Sequence, residues 1–220
     1  MAGLRDINKA KRRDAILDAT VELFGQRPFD EVTTEEIAAL AGVAPATVYN
    51  LIGTRDDVVR AVVARILAEL ADSLAQLDPT DPIAAALLVV DQTVRAFVAD
   101  SAAFRQIVRL APRASSVGAE LTDPSEFQVA AMRNAQRLGI IRSDVDAAGL
   151  ARQVYLSYTG AMTLWSAGRL DDEGFATAAR HGLFTALAAA AVDGERIRFL
   201  DQVRVLGAAL ETEMWNPGTA

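Results

Sequence analysis

Between Thr33 and Ile52 the chain reads TTEEIAALAGVAPATVYNLI, and no other stretch narrows the folding options as much. Thr33 followed by Glu36 is a capping box: the Thr oxygen accepts an amide of the first turn and the Glu carboxylate returns to the cap, so a helix starts here. Ile37, Leu40 and Ala41 fall at i, i+3 and i+4 on one expected inward face, and Ala38 is small enough to let a second helix cross closely. Gly42 ends that helix, because glycine enters the left-handed region without a side-chain penalty. Val43 is expected to plug the angle between the two helices. Pro45 suits the first turn of the next helix, where its missing N–H would lack a partner anyway. Val48 and Ile52 then point inward, leaving Ala46, Thr47, Tyr49 and Asn50 outward. An alanine, a glycine four residues on, a hydrophobe directly after it and another five residues later is the spacing of a DNA-reading helix-turn-helix. The same spacing also suits an ordinary pair of core helices.

Alanine-rich helical periodicity recurs from end to end and no run alternates strictly, so an all-α protein of about nine to ten helices is expected. At 220 residues the chain can bury a substantial core, with 51% hydrophobic but only 6% aromatic residues pointing to packing by Ala, Leu and Val. The absence of cysteine excludes disulfides and thiolate metal sites. The single histidine, His181, weakens any case for a histidine metal site or a catalytic triad, and no nucleophile stands out beside a base, so neither metal, cofactor nor enzyme activity is expected. The N-terminus lacks the apolar core of a signal peptide, and no apolar run reaches the roughly 18 residues of a membrane span. A soluble, cytoplasmic protein without a membrane partner is the expectation.

A net charge of -7 argues against indiscriminate nucleic-acid binding but not against a local site. Arg5, Lys9, Lys11, Arg12 and Arg13 face only Asp6 in the first thirteen residues, placing phosphate-neutralising charge beside the reading pair. A solvated tail is the alternative for this arm. A first helix is expected from about Lys11 to Phe24, with Ile16, Ala19, Thr20, Leu23 and Phe24 as its apolar stripe. Gly25 and Pro28 break it, and Phe29 and Val32 close a small three-helix core.

Thr54-Arg55-Asp56-Asp57 is a second capping box, opening a long helix that carries Val59, Val62, Val63, Ile66, Leu70, Leu74 and Leu77. Further helices are expected over 82–100, 101–110 (ended by Ala111-Pro112), from an Asp123-Pro124 cap to Leu138, 147–167, from Asp171-Asp172 to Ala190, and after Asp193-Gly194. A loop with Ser115, Ser116 and Gly118 precedes the Asp123-Pro124 cap. The 147–167 helix has two apolar faces, with Leu150, Val154, Tyr158, Ala161 and Trp165 on one and Ala151, Tyr155 and Met162 on the other.

The run TTEEIAALAGVAPATVYNLIGTRDDVVRAVV resembles the N-terminal signature of the TetR (tetracycline repressor) family: a Thr-capped helix, an AGV turn, a Thr-aliphatic-Tyr recognition helix and a Ser/Thr-Lys/Arg-Asp/Glu start to helix four. The similarity covers roughly the first 60 residues. It implies an N-terminal helix-turn-helix DNA-binding domain over 1–53 and a helical ligand-binding and dimerisation domain over 54–220. Thr33, Tyr49 and Arg55 would contact phosphates, and Ala46, Thr47 and Asn50 would face the major groove, small residues meeting thymine methyls and Asn50 an adenine edge. Lys9 and Lys11 join the DNA set from the basic arm. Three positions depart from the family pattern: Ala44 lacks the capping hydroxyl, Leu51 replaces a histidine or aromatic residue, and Ile52 replaces a phenylalanine.

The resemblance further implies a homodimer on a palindromic double-stranded operator, built from the Phe175–Ala190 helix with a neighbour, and a small apolar or aromatic effector. Candidate effector contacts are Phe97, Phe104, Ile107, Phe127, Met132, Tyr155, Tyr158, Met162 and Trp165, with Val94 and Val108 beside them and Gln106, Gln128, Arg152 or Gln153 for orientation. The same residues also suit a filled core. The expected function is therefore a ligand-responsive transcriptional regulator, a repressor released from its operator by the effector. The alternative is a helical small-molecule-binding protein in which the helix-turn-helix segment is only scaffold.

Overall fold

The computed structural model describes residues 3–114 and 125–214; the Ser115, Ser116 and Gly118 loop and the Asp123-Pro124 cap lie outside these. The described residues form ten α-helices: α1 Leu4–Gln26, α2 Thr34–Leu40, α3 Pro45–Leu51, α4 Arg55–Leu74, α5 Pro82–Val98, α6 Ser101–Ala114, α7 Ser125–Arg137, α8 Ala147–Ser166, α9 Asp172–Ala190 and α10 Asp193–Met214. Phe29–Glu31 makes a 3-10 turn. The all-α expectation holds, with one isolated antiparallel bridge between Ile141 and Ala191 among the described residues.

The chain divides into two compact units, one of residues 3–66 and 97–114 and the other of 67–96 and 125–214. This differs from a cut at residue 53: the first three turns of α4 and all of α6 belong with the helix-turn-helix. The reason is a set of hydrogen bonds that periodicity does not show. On α6, Gln106 donates through Nε2 to the carbonyls of Phe24 (2.6 Å) and Arg27 (3.0 Å) and accepts the Phe29 N–H at 2.8 Å. One amide thus satisfies the end of α1 and the start of the 3-10 turn, and Gln106 serves here rather than as an effector contact.

Within the first unit α1 begins at Leu4, well before Lys11. Asp6 in its first turn accepts the Gly3 N–H at 3.2 Å, and a carboxylate there suits the positive end of the helix dipole. The helix passes through Gly25 and ends at Gln26, just before Pro28. All five residues of the expected stripe are buried, and Leu17 and Val21 join them. Each fully buried aliphatic or Phe side chain contributes about 1.5–3 kcal/mol, so this stripe is the main hold on α1. In α2 the capping box forms as expected, with the Glu36 N–H donating to Thr33 Oγ1 at 3.2 Å. Its inward face is Thr34, Ile37 and Ala38, whereas Leu40 is 46% exposed. Seven residues present less than two turns, and the position shared with Ile37 is Thr34, not Leu40. Gly42 (φ +66°) makes the left-handed turn, and Ala44 precedes α3 without a side-chain cap.

In the second unit α9 is the central helix, burying Phe175, Ala179, Leu183, Phe184 and Leu187 between α8 and α10. The Trp165 ring stacks on Phe175 at 5.1 Å, and its indole N–H donates to Asp172 Oδ1 at 2.7 Å. At Gly182, Ser157 of α8 comes so close that any Cβ would force the helices apart. Arg180 on α9 pairs with Asp91 on α5 at 2.7 Å. No single helix among the described residues is long and apolar enough to cross a membrane.

Candidate nucleic-acid interface and effector cavity

On α3 the residues at i, i+3 and i+4, Ala46, Tyr49 and Asn50, are exposed, and Tyr49 at 53% is one of the most exposed large apolar side chains described. Thr47 is half-buried, while Val48 is fully buried and anchors the helix. Because α1 starts at Leu4, Arg5, Asn8, Lys9 and Arg12 share one helical face. These four, with Asp6, line an open concavity completed by Asn50 and Leu51 of α3. The basic segment is therefore an ordered cationic wall beside the outward end of α3. Lys11 is exposed but lies outside this concavity, whereas Arg5 and Arg12 join it. The i, i+4, i+7 spacing of Arg5, Lys9 and Arg12 is the signal for it, visible only once the segment is known to be helical.

Thr33 and Arg55 occupy different settings from Tyr49. The Thr33 amide and hydroxyl both donate to Glu36 Oε2, at 2.9 and 3.0 Å. These bonds, with Arg27 at 2.9 Å from the other oxygen, hold the Glu36 carboxyl below its usual range. Arg55 donates through Nη1 to the carbonyls of Phe29 (3.1 Å) and Val32 (2.8 Å), and its guanidinium lies 3.9 Å from the Phe29 ring centre. The structure thus gives Arg55 a task that the sequence does not suggest, fastening α4 to the 3-10 turn. Thr54 caps α4 with Asp57, whose carboxyl is held low by the Thr54 hydroxyl and amide and by Arg60.

The second unit contains a cavity of about 40 Å³ lined by Leu67, Leu70, Val89, Val90, Thr93, Gln128, Val154, Tyr155 and Tyr158. Of the nine candidate effector residues, Tyr155 and Tyr158 stand in this wall. Met132 and Trp165 are fully buried, Phe127 and Met162 half-buried, and none of the four is in it. Phe97, Phe104 and Ile107 lie in the first unit, where Phe97 and Phe104 stack at 5.2 Å and Ile107 is buried. Arg152 and Gln153 are exposed on α8. Thr93, in the middle of an apolar helix, is a wall residue whose hydroxyl no sequence pattern marks. Among the described residues no group of three His, Cys, Asp or Glu side chains is placed to hold a metal.

A Thr-capped helix, a left-handed glycine turn and a second short helix with small and polar residues outward define a helix-turn-helix protein with an appended helical unit. Residues 16–62 match the profile of the tetR family of bacterial regulatory proteins. The chain is similar to the HTH-type transcriptional regulator BetI of Brucella anthropi, 36% identical over 63 residues, which are 29% of this chain and 32% of that one. The chain thus spans about a third of the length of the BetI relatives it matches. Among solved structures it resembles a TetR transcription regulator from Haloarcula marismortui (TM-score 0.65, 23% identity, covering 83% of this chain and 100% of that one). It also resembles SmeT, the repressor of the Stenotrophomonas maltophilia multidrug efflux pump SmeDEF (TM-score 0.62, 22% identity, 83% and 92%). Both establish the shared fold, across both units.

Proposed function

We propose that the chain is a ligand-responsive transcriptional regulator that binds a palindromic operator as a homodimer and is released by a small, largely apolar effector. The observation that carries this reading is the concavity where Arg5, Lys9 and Arg12 of α1 meet Asn50 of α3. Ala46, Thr47 and Asn50 read base edges in the major groove. Tyr49 and the α1 cations position the backbone, while Thr33 and Arg55 act by shaping α2 and the 3-10 turn. The sense of regulation is repression, as for SmeT. The dimer uses the outer faces of α8 and α10, because α9 is enclosed between them while Leu156, Leu164, Ile197, Leu200 and Val205 are exposed there.

A gel-shift titration with DNA flanking the chain's own gene, repeated across salt concentrations, tests the reading. One duplex should be preferred over random DNA. Arg5→Ala and Lys9→Ala should each reduce the slope of log affinity against log salt by about 0.9, the value of one lost phosphate contact. Failure to prefer any duplex at low salt would leave the small-molecule-binding alternative standing.

A further inference from the structure

None of the nine residues lining the second unit's cavity carries a charge, yet two of its polar atoms lack hydrogen-bond partners among the described residues. Gln128 is 3% exposed, and its Nε2 donates to the Ala86 carbonyl at 3.0 Å. A carbonyl only accepts, so the amide nitrogen must face Ala86 and Oε1 is the end left over. Oε1 is buried without a donor, and the Tyr158 hydroxyl is buried without an acceptor. Thr93, whose oxygen lies beside the Tyr158 hydroxyl without making a hydrogen bond of normal geometry to it, donates to the carbonyls of Val89 (2.7 Å) and Val90 (3.0 Å) and so has no proton left for Gln128 Oε1. Unpaired buried donors and acceptors are unfavourable and uncommon in native proteins. Here one of each shares a single apolar cavity of about 40 Å³, more than one water requires.

We infer that Gln128 and Tyr158 form the head-group site for the effector, and that the effector presents an uncharged group that accepts from the Tyr158 hydroxyl and donates to Gln128 Oε1: an alcohol or a carboxamide on an apolar body. This rests on the ligand-responsive function proposed above. A carboxylate would meet Oε1 with no cation in the wall, and an ammonium would meet no carboxylate, so neither recovers its hydration. Burial pushes the Tyr158 phenol above its ordinary range, which keeps it a donor at physiological pH.

Four probes on one chain length, 1-hexanol, hexanamide, hexanoate and hexylamine, separate the cases when titrated into the full chain at neutral pH by calorimetry. Hexanol and hexanamide should bind about tenfold or more tightly than the two ions, and Tyr158→Phe and Gln128→Met should each abolish that preference. The Tyr158→Phe melting temperature should stay level or rise, because the substitution removes a buried unpaired hydroxyl. Equal binding of hexanoate, or a lowered melting temperature in Tyr158→Phe with no probe bound, would show that the pair serves only the fold. If the preference appears but no probe changes the gel shift, the head-group site stands and the regulatory function fails. Operator release by an effector whose binding ignores both substitutions does the opposite: the regulatory function stands and the head-group site falls.

Discussion

Replacing Arg55 with alanine removes two hydrogen bonds to backbone carbonyls and the stacking on Phe29; the Phe29 carbonyl keeps the Val32 N–H at 3.2 Å, while the Val32 carbonyl loses its Arg55 donor. Hydrogen bonds to charged groups contribute about 1.5–3 kcal/mol, so Arg55→Ala should lower unfolding stability by about that amount in a denaturant titration. Arg55→Lys tells the two roles apart. Lysine keeps the charge but not the planar fork, so operator affinity would survive it if Arg55 mainly served a phosphate. On the arrangement seen here, stability and affinity should fall together. A basic residue at this position is visible in the sequence, but its partners, Phe29 and Val32, are more than twenty residues away and not periodic with it.

At the scale of the element, the short helices α2 and α3 depend on their ends, having too few turns to hold themselves. Ala44 has the extended backbone of an N-cap residue but no oxygen to offer. Ala44→Ser should therefore raise the stability of the chain by about 1 kcal/mol, read as a higher denaturant midpoint with an unchanged slope. The caps of α2 and α4 also carry a pH dependence. The Glu36 carboxyl is lowered chiefly by the Thr33 amide, then by Arg27; that of Asp57 is lowered chiefly by the Thr54 hydroxyl, then by its amide. A depressed carboxylate stabilises the fold fully above its unfolded pKa and loses that contribution as pH falls through its folded pKa. Melting temperature should accordingly drop below about pH 4.5, the ordinary range of these acids, and the drop should be shallower in Glu36→Gln and Asp57→Asn. Element scale is also where sequence patterning is most legible: the capping boxes, Gly42, Pro45 and the α1 stripe all fall where spacing puts them.

For the whole molecule, the exposed apolar residues on the outer faces of α8 and α10 should make the protein dimeric at micromolar concentration in sedimentation equilibrium. Leu156→Glu combined with Ile197→Glu should yield a monomer of unchanged helix content that binds a half-site weakly and a palindrome no better. A parent protein already monomeric would remove this surface as the dimer contact. Such a surface is hard to read from sequence, because an exposed leucine and a core leucine share the same helical periodicity until the neighbouring helices are placed.

The sequence by itself determined the fold class, the order of the helices and the outward residues of α3, because caps, glycine turns and apolar periodicity are local and act within a few residues. Only the tertiary structure decided that the basic arm is the first turns of α1, that Gln106 and Arg55 fasten the 3-10 turn, and that Tyr155 and Tyr158 line the cavity while Trp165 fills the core. Those outcomes depend on which carbonyls and ring faces meet across tens of residues, and no repeat in the sequence records such meetings.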